Sequence, residues 1–186
     1  MEILKWLENN FSKIARKNEQ EVSLSDSQIE TIKICEKNNN IVIKSVRISG
    51  ETTLMMSYFY GKALLAKTPI QILLLINSVN ELRDLKVLIT QYIRRTNNQN
   101  EILSCNNREI KFKNGSKIIF SRDYHGINYD ILYIGESIYL KSDKYKSFLE
   151  TLEYNNNKII SHSGNPFNKD YASAFLYELN NNGCYR

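Results

Sequence analysis

One short stretch, residues 41–54, combines the residue types and the spacing that phosphate chemistry requires. It reads IVIKSVRISGETTL, so a β-branched apolar run meets Gly50, and a long apolar segment begins after Thr52 and Thr53. Backbone N–H groups and the helix dipole favour an anion where a buried strand turns into a helix. The stretch therefore predicts a phosphate-binding loop. Glu51 is the exception, because a carboxylate stands where such a loop carries a lysine.

The same residues also fit an ordinary strand-to-helix turn that binds no ligand. A threonine is a favourable helix cap, and the helix dipole favours a glutamate in the first helical turn. Both interpretations stay open at the level of the sequence.

The composition is that of one folded domain. The 186 residues suffice for a hydrophobic core, and 42% apolar with 24% charged residues excludes a disordered chain. The net charge of +5 fits either a polyanionic partner or a solvated basic surface. The cysteines lack the spacing of a zinc site or a disulfide framework, which predicts reduced thiols inside a cell. They are Cys35, Cys105 and Cys184.

The amino-terminal segment predicts a helix and not a targeting signal. MEILKWLENNF is too short and too acidic for a signal peptide, and no stretch approaches the roughly 18 apolar residues of a membrane span. Apolar residues at helical spacing predict an amphipathic helix over residues 2–17. These are Ile3, Leu4, Leu7, Phe11 and Ile14. We expect residues 1–20 to pack on the rest of the chain or to dock on a partner, and residues 21–186 to form a single domain.

Apolar runs and helical segments alternate through most of that domain. Continuous apolar runs predict buried strands at 41–46, 70–76, 130–137 and 158–164. Helices are predicted at 26–38 with Ser25 or Asp26 as the cap, at 52–66, from a cap at Asn77 or Ser78 to Arg95, at 142–154 and at 170–181. Residues 101–121 differ, because they alternate around Asn114-Gly115 and predict a hairpin.

This order predicts an α/β fold, a three-layer sandwich with a mainly parallel sheet plus a β-hairpin insertion. Ligands bind at the carboxyl ends of the strands in such folds. Polar residues gather at those ends in this chain, at 47–53, 77–78, 135–136 and 161–165. A binding site is therefore expected at that edge of the sheet.

Five motifs in order resemble the ATPase domain of viral large terminase subunits. LSDSQIETIK (24–33) and IVIKSVRISGETT (41–53) resemble its adenine motif and Walker A loop, and ILYIGES (131–137) resembles its Walker B strand. FKNGSKIIF (112–120) resembles the segment before that strand, and residues 159–179 resemble the coupling motif with its helix. The resemblance covers about residues 24–180 and implies a P-loop NTPase-like fold.

The resemblance also implies a role for individual residues. Gln28 would contact adenine, Arg47 would contact phosphates with a catalytic role, and Glu136 would orient the attacking water. The remaining nucleotide-binding positions would be Gly50, Glu51, Thr52 and Thr53, with the Thr52 hydroxyl on Mg²⁺. The coupling positions would be Ser161, Ser163, Gly164 and Asn165.

The cofactors implied for an active domain are ATP and Mg²⁺. The implied partners are double-stranded DNA, the portal and the small terminase subunit, with several copies of the chain on the portal in the host cytoplasm. A nuclease domain is not predicted, because the sequence offers no carboxylate cluster for two metals.

Three positions depart from the terminase pattern. Glu51 replaces the Walker A lysine, Gly135 replaces the Walker B aspartate, and His125 stands where an arginine is usual. Reversing the sign of a phosphate contact should cost more than the roughly 3 kcal/mol lost with one electrostatic donor. We therefore expect a catalytic site that is weakened or lost.

Other interpretations remain beside this one. The chain could be a structural or regulatory subunit of the same fold, or a working motor in which Arg47 or Lys44 replaces the missing lysine. It could also be a nucleic-acid-binding module that uses basic residues of the hairpin. These are Lys111, Lys113, Lys117 and Arg122.

Overall fold

The computed structural model describes residues 2–17, 20–44, 50–76, 78–123, 126–135 and 158–163. The four described helices are α1 (Glu2–Ile14), α2 (Asp26–Lys37), α3 (Glu51–Leu65) and α4 (Val79–Arg95). The described strands are β1 (Arg16–Lys17), β2 (Gln20–Glu21), β3 (Asn40–Lys44), β4 (Gln71–Leu75), β5 (Ile102–Cys105), β6 (Glu109–Phe112), β7 (Lys117–Ser121), β8 (Ile131–Ile134) and β9 (Lys158–Ser163). A 3₁₀ turn, Gln99–Glu101, precedes β5.

Seven strands form the main sheet in the order β3-β9-β8-β4-β7-β6-β5. The first five are mutually parallel, whereas β6 pairs antiparallel with β7 and β5 pairs antiparallel with β6. The predicted α/β fold with a mainly parallel sheet and an added hairpin is confirmed. The hairpin extends one edge of the sheet, and β5 is the edge strand.

Both faces of the sheet are buried, as a three-layer arrangement requires. Alternate residues such as Ile72 and Leu74 of β4 join the core that α1, α3 and α4 share. Their neighbours on the opposite face are also at most 5% exposed. These are Leu73, Leu75, Leu132, Ile134 and Ile159. The helices predicted at 142–154 and 170–181 lie outside the described residues.

Helix α3 is the centre of the helical layer. Residues 54–61 are all buried, which agrees with its apolar sequence on every side. Helix α1 crosses α3 at Gly61, where a β-carbon would lie 2.6 Å from Cδ1 of Ile3 and 2.7 Å from Cε3 of Trp6. The absence of a side chain at Gly61 therefore sets how closely the two helices approach. Four apolar residues of α1 are buried in the common core: Ile3, Leu7, Phe11 and Ile14.

Helix α1 ends three residues earlier than the prediction of 2–17. Arg95 donates from Nη1 to the Ile14 carbonyl at 2.7 Å, so a residue of α4 satisfies a carbonyl at the end of α1. The chain then forms the short antiparallel pair β1 and β2. The local sequence does not encode this tertiary contact. The helical pattern therefore predicted a helix three residues too long.

The predicted Asn114-Gly115 turn is present and has a second role. Gly115 has a φ of +87°, which favours glycine, and its N–H donates to the Phe112 carbonyl at 3.0 Å. Asn114 Nδ2 lies 2.9 Å from the Ala63 carbonyl and 3.1 Å from the Ala66 carbonyl. The turn therefore satisfies the free carbonyls at the carboxyl end of α3.

No helix within the described ranges is long and apolar enough to cross a bilayer.

Asn114→Ala is expected to lower the free energy of unfolding by about 1–2 kcal/mol, because it leaves carbonyls of α3 without a donor. Urea unfolding followed by circular dichroism measures this. Asn100→Ala is the matched control, because Asn100 is an exposed residue of the 3₁₀ turn, and its change should stay within about 0.5 kcal/mol. Equal effects of the two substitutions would contradict the capping role.

Gly61→Ala is expected to destabilise the chain by about 1–3 kcal/mol despite the better helix propensity of alanine, because the methyl group overlaps α1. The single tryptophan, Trp6, lies at the contact, so its emission should shift to the red. Ile3→Ala in the same chain removes one overlapping group and should make the added methyl less costly. A stabilised Gly61→Ala variant with an unchanged emission spectrum would refute the close approach.

Candidate functional site

The carboxyl ends of five parallel strands meet at one edge of the sheet. Lys44 at the end of β3 pairs with Ser163, and Ile134 at the end of β8 pairs with both Leu75 and Ser161. The ends of β3, β9 and β8 are therefore neighbours in that order. This is the edge at which the sequence places its polar residues.

Gly50 turns the chain from the loop into α3. Its φ is +80°, in the left-handed region that favours glycine, and its carbonyl accepts the first helical hydrogen bond, from Leu54 N at 2.9 Å. The side chains of Ser25 and Ser78 cap α2 and α4, whereas Gly50 provides no side-chain cap. The first N–H groups of α3 thus lack the side-chain acceptor that two other helices have, as an anion site at a helix N-terminus requires.

The two threonines lie inside α3, because the helix begins at Glu51 and not at Thr52 as predicted. The predicted threonine cap is therefore wrong, whereas the glutamate predicted for the first helical turn is present, and the ordinary strand-to-helix turn remains an alternative. Thr52 is exposed in the first turn. Thr53 is half-buried, and its carbonyl accepts a hydrogen bond from Ser57 Oγ at 2.7 Å.

Gln28 lies beside the glycine of the loop. Ser25 and Gln28 form a capping box at the start of α2, in which Gln28 Oε1 accepts from Ser25 N at 3.1 Å. Gln28 Nε2 is then 3.4 Å from the position that a β-carbon of Gly50 would occupy. The fold thus brings together two residues that are 22 positions apart in the chain.

Glu51 occupies the first helical position of α3, within the predicted phosphate-binding loop. Its Oε2 atom is buried and has no hydrogen-bond partner among the described residues. Removal from water raises the pKa of the Glu51 carboxyl above its ordinary value of 4.5. Desolvation therefore outweighs the helix dipole, which by itself would favour the charged form. An ionised Glu51 would repel phosphate oxygens at this position.

Apolar side chains surround Gly135, the position of the missing Walker B aspartate. A β-carbon there would clash with Cδ1 of Ile76 and would lie 3.3 Å from Cε1 of Tyr133. Ile76 follows β4 and is 1% exposed, so it fills space that an acidic side chain would need. Glu81 Oε1 of α4 lies 3.5 Å from the same β-carbon position.

The described residues of this edge differ in how well they suit ATP and Mg²⁺. The α3 N-terminus and the Gln28 amide suit a nucleotide, since they offer N–H donors to an anion and an amide to a base. Glu51 and Ile76 do not suit the β- and γ-phosphates or their metal ion, because one is anionic and the other apolar. No cluster of three acidic, histidine or cysteine residues that could hold a metal occurs within the described part of the chain.

Several predicted site residues cannot be placed. Arg47, Glu136, Gly164 and Asn165 lie outside the described residues, as does His125. Ser161 and Ser163 are in β9, next to Ile134 and Lys44 respectively.

Sequence reasoning missed Ile76 and Glu81 as neighbours of Gly135. Both follow β4, which pairs directly with β8, so the signal was the order of strands in the sheet and not any motif. The prediction placed Ile76 inside the strand 70–76, whereas β4 ends at Leu75, so the local sequence did not mark Ile76 as a residue of this edge.

Solved structures share this fold. The HK97 bacteriophage large terminase matches with a TM-score of 0.75 at 12% identity, over 95% of this chain and 40% of that chain. The Thermus phage P74-26 large terminase ATPase domain matches with a TM-score of 0.61 at 12% identity, over 90% of this chain and 71% of that one. A large terminase from a thermophilic bacteriophage in complex with ATP-γ-S matches with a TM-score of 0.55 at 13% identity, over 75% of this chain and 37% of that one.

The present chain spans about two fifths of the HK97 protein, which matches over 40% of its length. No protein-family model and no curated protein matches the sequence. Sequence identities this low show a shared fold and nothing further. The fold that the terminase resemblance implies is confirmed. The chain has the α/β fold of the ATPase domains of phage large terminases.

Proposed function

We propose that the chain acts in the packaging of viral DNA into a capsid, as a terminase-like ATPase domain whose catalytic site is weakened or lost. The observation that carries the proposal is the N-terminus of α3, which has no side-chain cap and lies behind Gly50 with the Gln28 amide beside it. This arrangement suits an adenine nucleotide. Structures of the same fold with ATP-γ-S and ADP support this ligand class.

The weakening follows from two positions, Glu51 and Gly135. Glu51 is a desolvated carboxylate in place of the lysine, and Ile76 fills the space beside Gly135. A positioned cation and a metal-holding acid are both central to phosphoryl transfer in P-loop enzymes. Losing either slows hydrolysis, and here both are lost in the same site.

The residue roles proposed are those of the terminase pattern. Nucleotide contacts come from Gln28, Gly50 and Thr53, with Thr52 also the metal contact if Mg²⁺ binds. Arg47 supplies positive charge, and Glu136 orients water. Coupling to movement involves Ser161, Ser163, Gly164 and Asn165.

The partners proposed are double-stranded DNA, the portal and the small terminase subunit, with several copies of the chain assembled on the portal in the host cytoplasm. Residues 1–20 and 21–186 remain the proposed division. The packing of α1 against α3 supports a mainly structural role for the amino-terminal helix.

A non-enzymatic subunit of the same fold is the second candidate. The buried Ile76 beside Gly135 favours it, because an apolar side chain there adds to packing and has no catalytic use.

A nucleic-acid-binding hairpin has less support. Lys111 pairs with Glu109 at 2.8 Å, so one of its four basic residues is already engaged.

ATP affinity with and without Mg²⁺, measured by titration calorimetry on the purified chain, tests the proposal. We expect weak binding with little dependence on Mg²⁺. Glu51→Lys should tighten it about tenfold or more, because the substitution replaces repulsion of phosphate by attraction. The matched control is Glu8→Lys, the same charge change on the exposed face of α1, which should leave the affinity unchanged.

Two outcomes would contradict the proposal. Tight Mg²⁺-dependent binding by the unaltered chain would show that the site is not weakened. No binding by either the unaltered chain or Glu51→Lys would refute the nucleotide site and leave the non-enzymatic subunit.

Glu51 also makes stability depend on pH. Its pKa is raised in the folded state, so the ionised form lowers the free energy of unfolding above that pKa, and the penalty disappears as the pH falls below the ordinary value of 4.5. Glu51→Gln is therefore expected to stabilise the chain by about 1 kcal/mol at neutral pH, at the low end for a buried unpaired group. Urea midpoints should converge with the unaltered chain near pH 4. A constant difference from pH 4 to pH 8 would contradict this origin.

A further inference from the structure

A groove runs along α4, from Val79 in its first turn to Arg94 in its last turn. It has a volume of about 630 Å³ and lies between α4 and the turn that joins β5 to β6. Its α4 residues recur at intervals of three and four, so they form one stripe of the helix. They include Val79, Leu82, Arg83, Lys86, Val87 and Arg94.

The wall opposite α4 is preorganised. Asn106 Oδ1 accepts hydrogen bonds from Arg108 N at 2.8 Å and from Glu109 N at 3.0 Å, which holds the turn in one conformation. Lys86 Nζ donates to Asn107 Oδ1 at 2.9 Å and ties the turn to α4. A groove with a preset shape loses less conformational entropy when it binds a partner.

The floor of the groove is unusually apolar for a surface. Val79 is 54% exposed and Val87 is 49% exposed. Within the described ranges, only one further large apolar residue is exposed, Leu103 of the neighbouring edge strand. Exposed apolar groups that gather in one place indicate a contact surface, whereas scattered ones do not.

Its charged residues are all of one sign. Arg83, Lys86 and Arg94 line the groove, and no Asp or Glu is among its lining residues. Cations beside an apolar floor complement a partner that carries carboxylates beside apolar side chains. An amphipathic helix with that pattern would follow the apolar stripe of α4.

We propose that this groove binds an acidic amphipathic helix of a protein partner. DNA fits less well, because its phosphate backbone offers charge but no apolar surface for Val79 and Val87. The inference does not depend on nucleotide binding.

The probe is a fluorescein-labelled helical peptide of 17 residues, the length of α4, with leucines on one face and glutamates beside them. Fluorescence anisotropy with the full chain should show saturable binding. Arg83→Glu and Val87→Asp should each weaken binding at least about tenfold. A peptide with lysines in place of the glutamates should bind Arg83→Glu better than the unaltered chain, because the charges are again complementary.

The matched control is Lys5→Glu on α1, since Lys5 is exposed and does not line the groove. Its affinity should stay within about twofold of that of the unaltered chain. Circular dichroism confirms that all variants fold. The proposal is overturned if no saturable binding occurs up to about 1 mM peptide, or if the groove and control variants weaken binding equally. It is also overturned if Arg83→Glu affects only the binding of a duplex DNA oligonucleotide.

Discussion

Helix α3 is apolar on every side, and the rest of the described chain is arranged to cover it. A helix with no polar face has no stable position at a surface, so it needs neighbours all round. Helix α1 covers it at Gly61, α4 packs along it, and the sheet lies beneath. Asn114 of the hairpin turn donates a hydrogen bond to the Ala63 carbonyl at the carboxyl end of α3. The N-terminus of α3 follows Gly50 at the carboxyl edge of the sheet. The burial of α3 in the core therefore holds this N-terminus in place.

That frame positions Gly50 and the N-terminus of α3 independently of the side chain that follows Gly50. The fold depends on burial of α3 and on the parallel strands, neither of which involves the side chain at Glu51. The carboxylate is tolerated at a moderate cost, which appears as a raised pKa and an unpaired oxygen. At the other side of the site, Ile76 and Gly135 complement one another, since the isoleucine fills the volume that the glycine leaves. The fold therefore does not depend on the side chains at these two positions of the candidate site.

Elements defined by long apolar patterns were predicted well, and their ends were predicted less well. Helices α2, α3 and α4 differ from prediction by one residue at most at either end, and the Asn114-Gly115 turn lies where the sequence places it. The end of α1 was wrong by three residues, because Arg95 satisfies its last carbonyl from a distant part of the chain. Likewise, the local sequence offered no reason to expect Asn114 at the end of α3, since that bond joins segments about 50 residues apart.

The sequence by itself determined the fold class and the residues at the loop, because hydrophobic periodicity and the Gly50 junction are local properties. It also identified both chemical departures, Glu51 and Gly135, from their types alone. Only the tertiary structure decided what surrounds them. Gln28 of α2 lies beside Gly50 although β3 separates them in the chain, and Ile76 lies against Gly135 because β4 pairs with β8. Burial raises the pKa of the Glu51 carboxyl. Volume and desolvation arise from neighbours distant in sequence, and no local pattern encodes them.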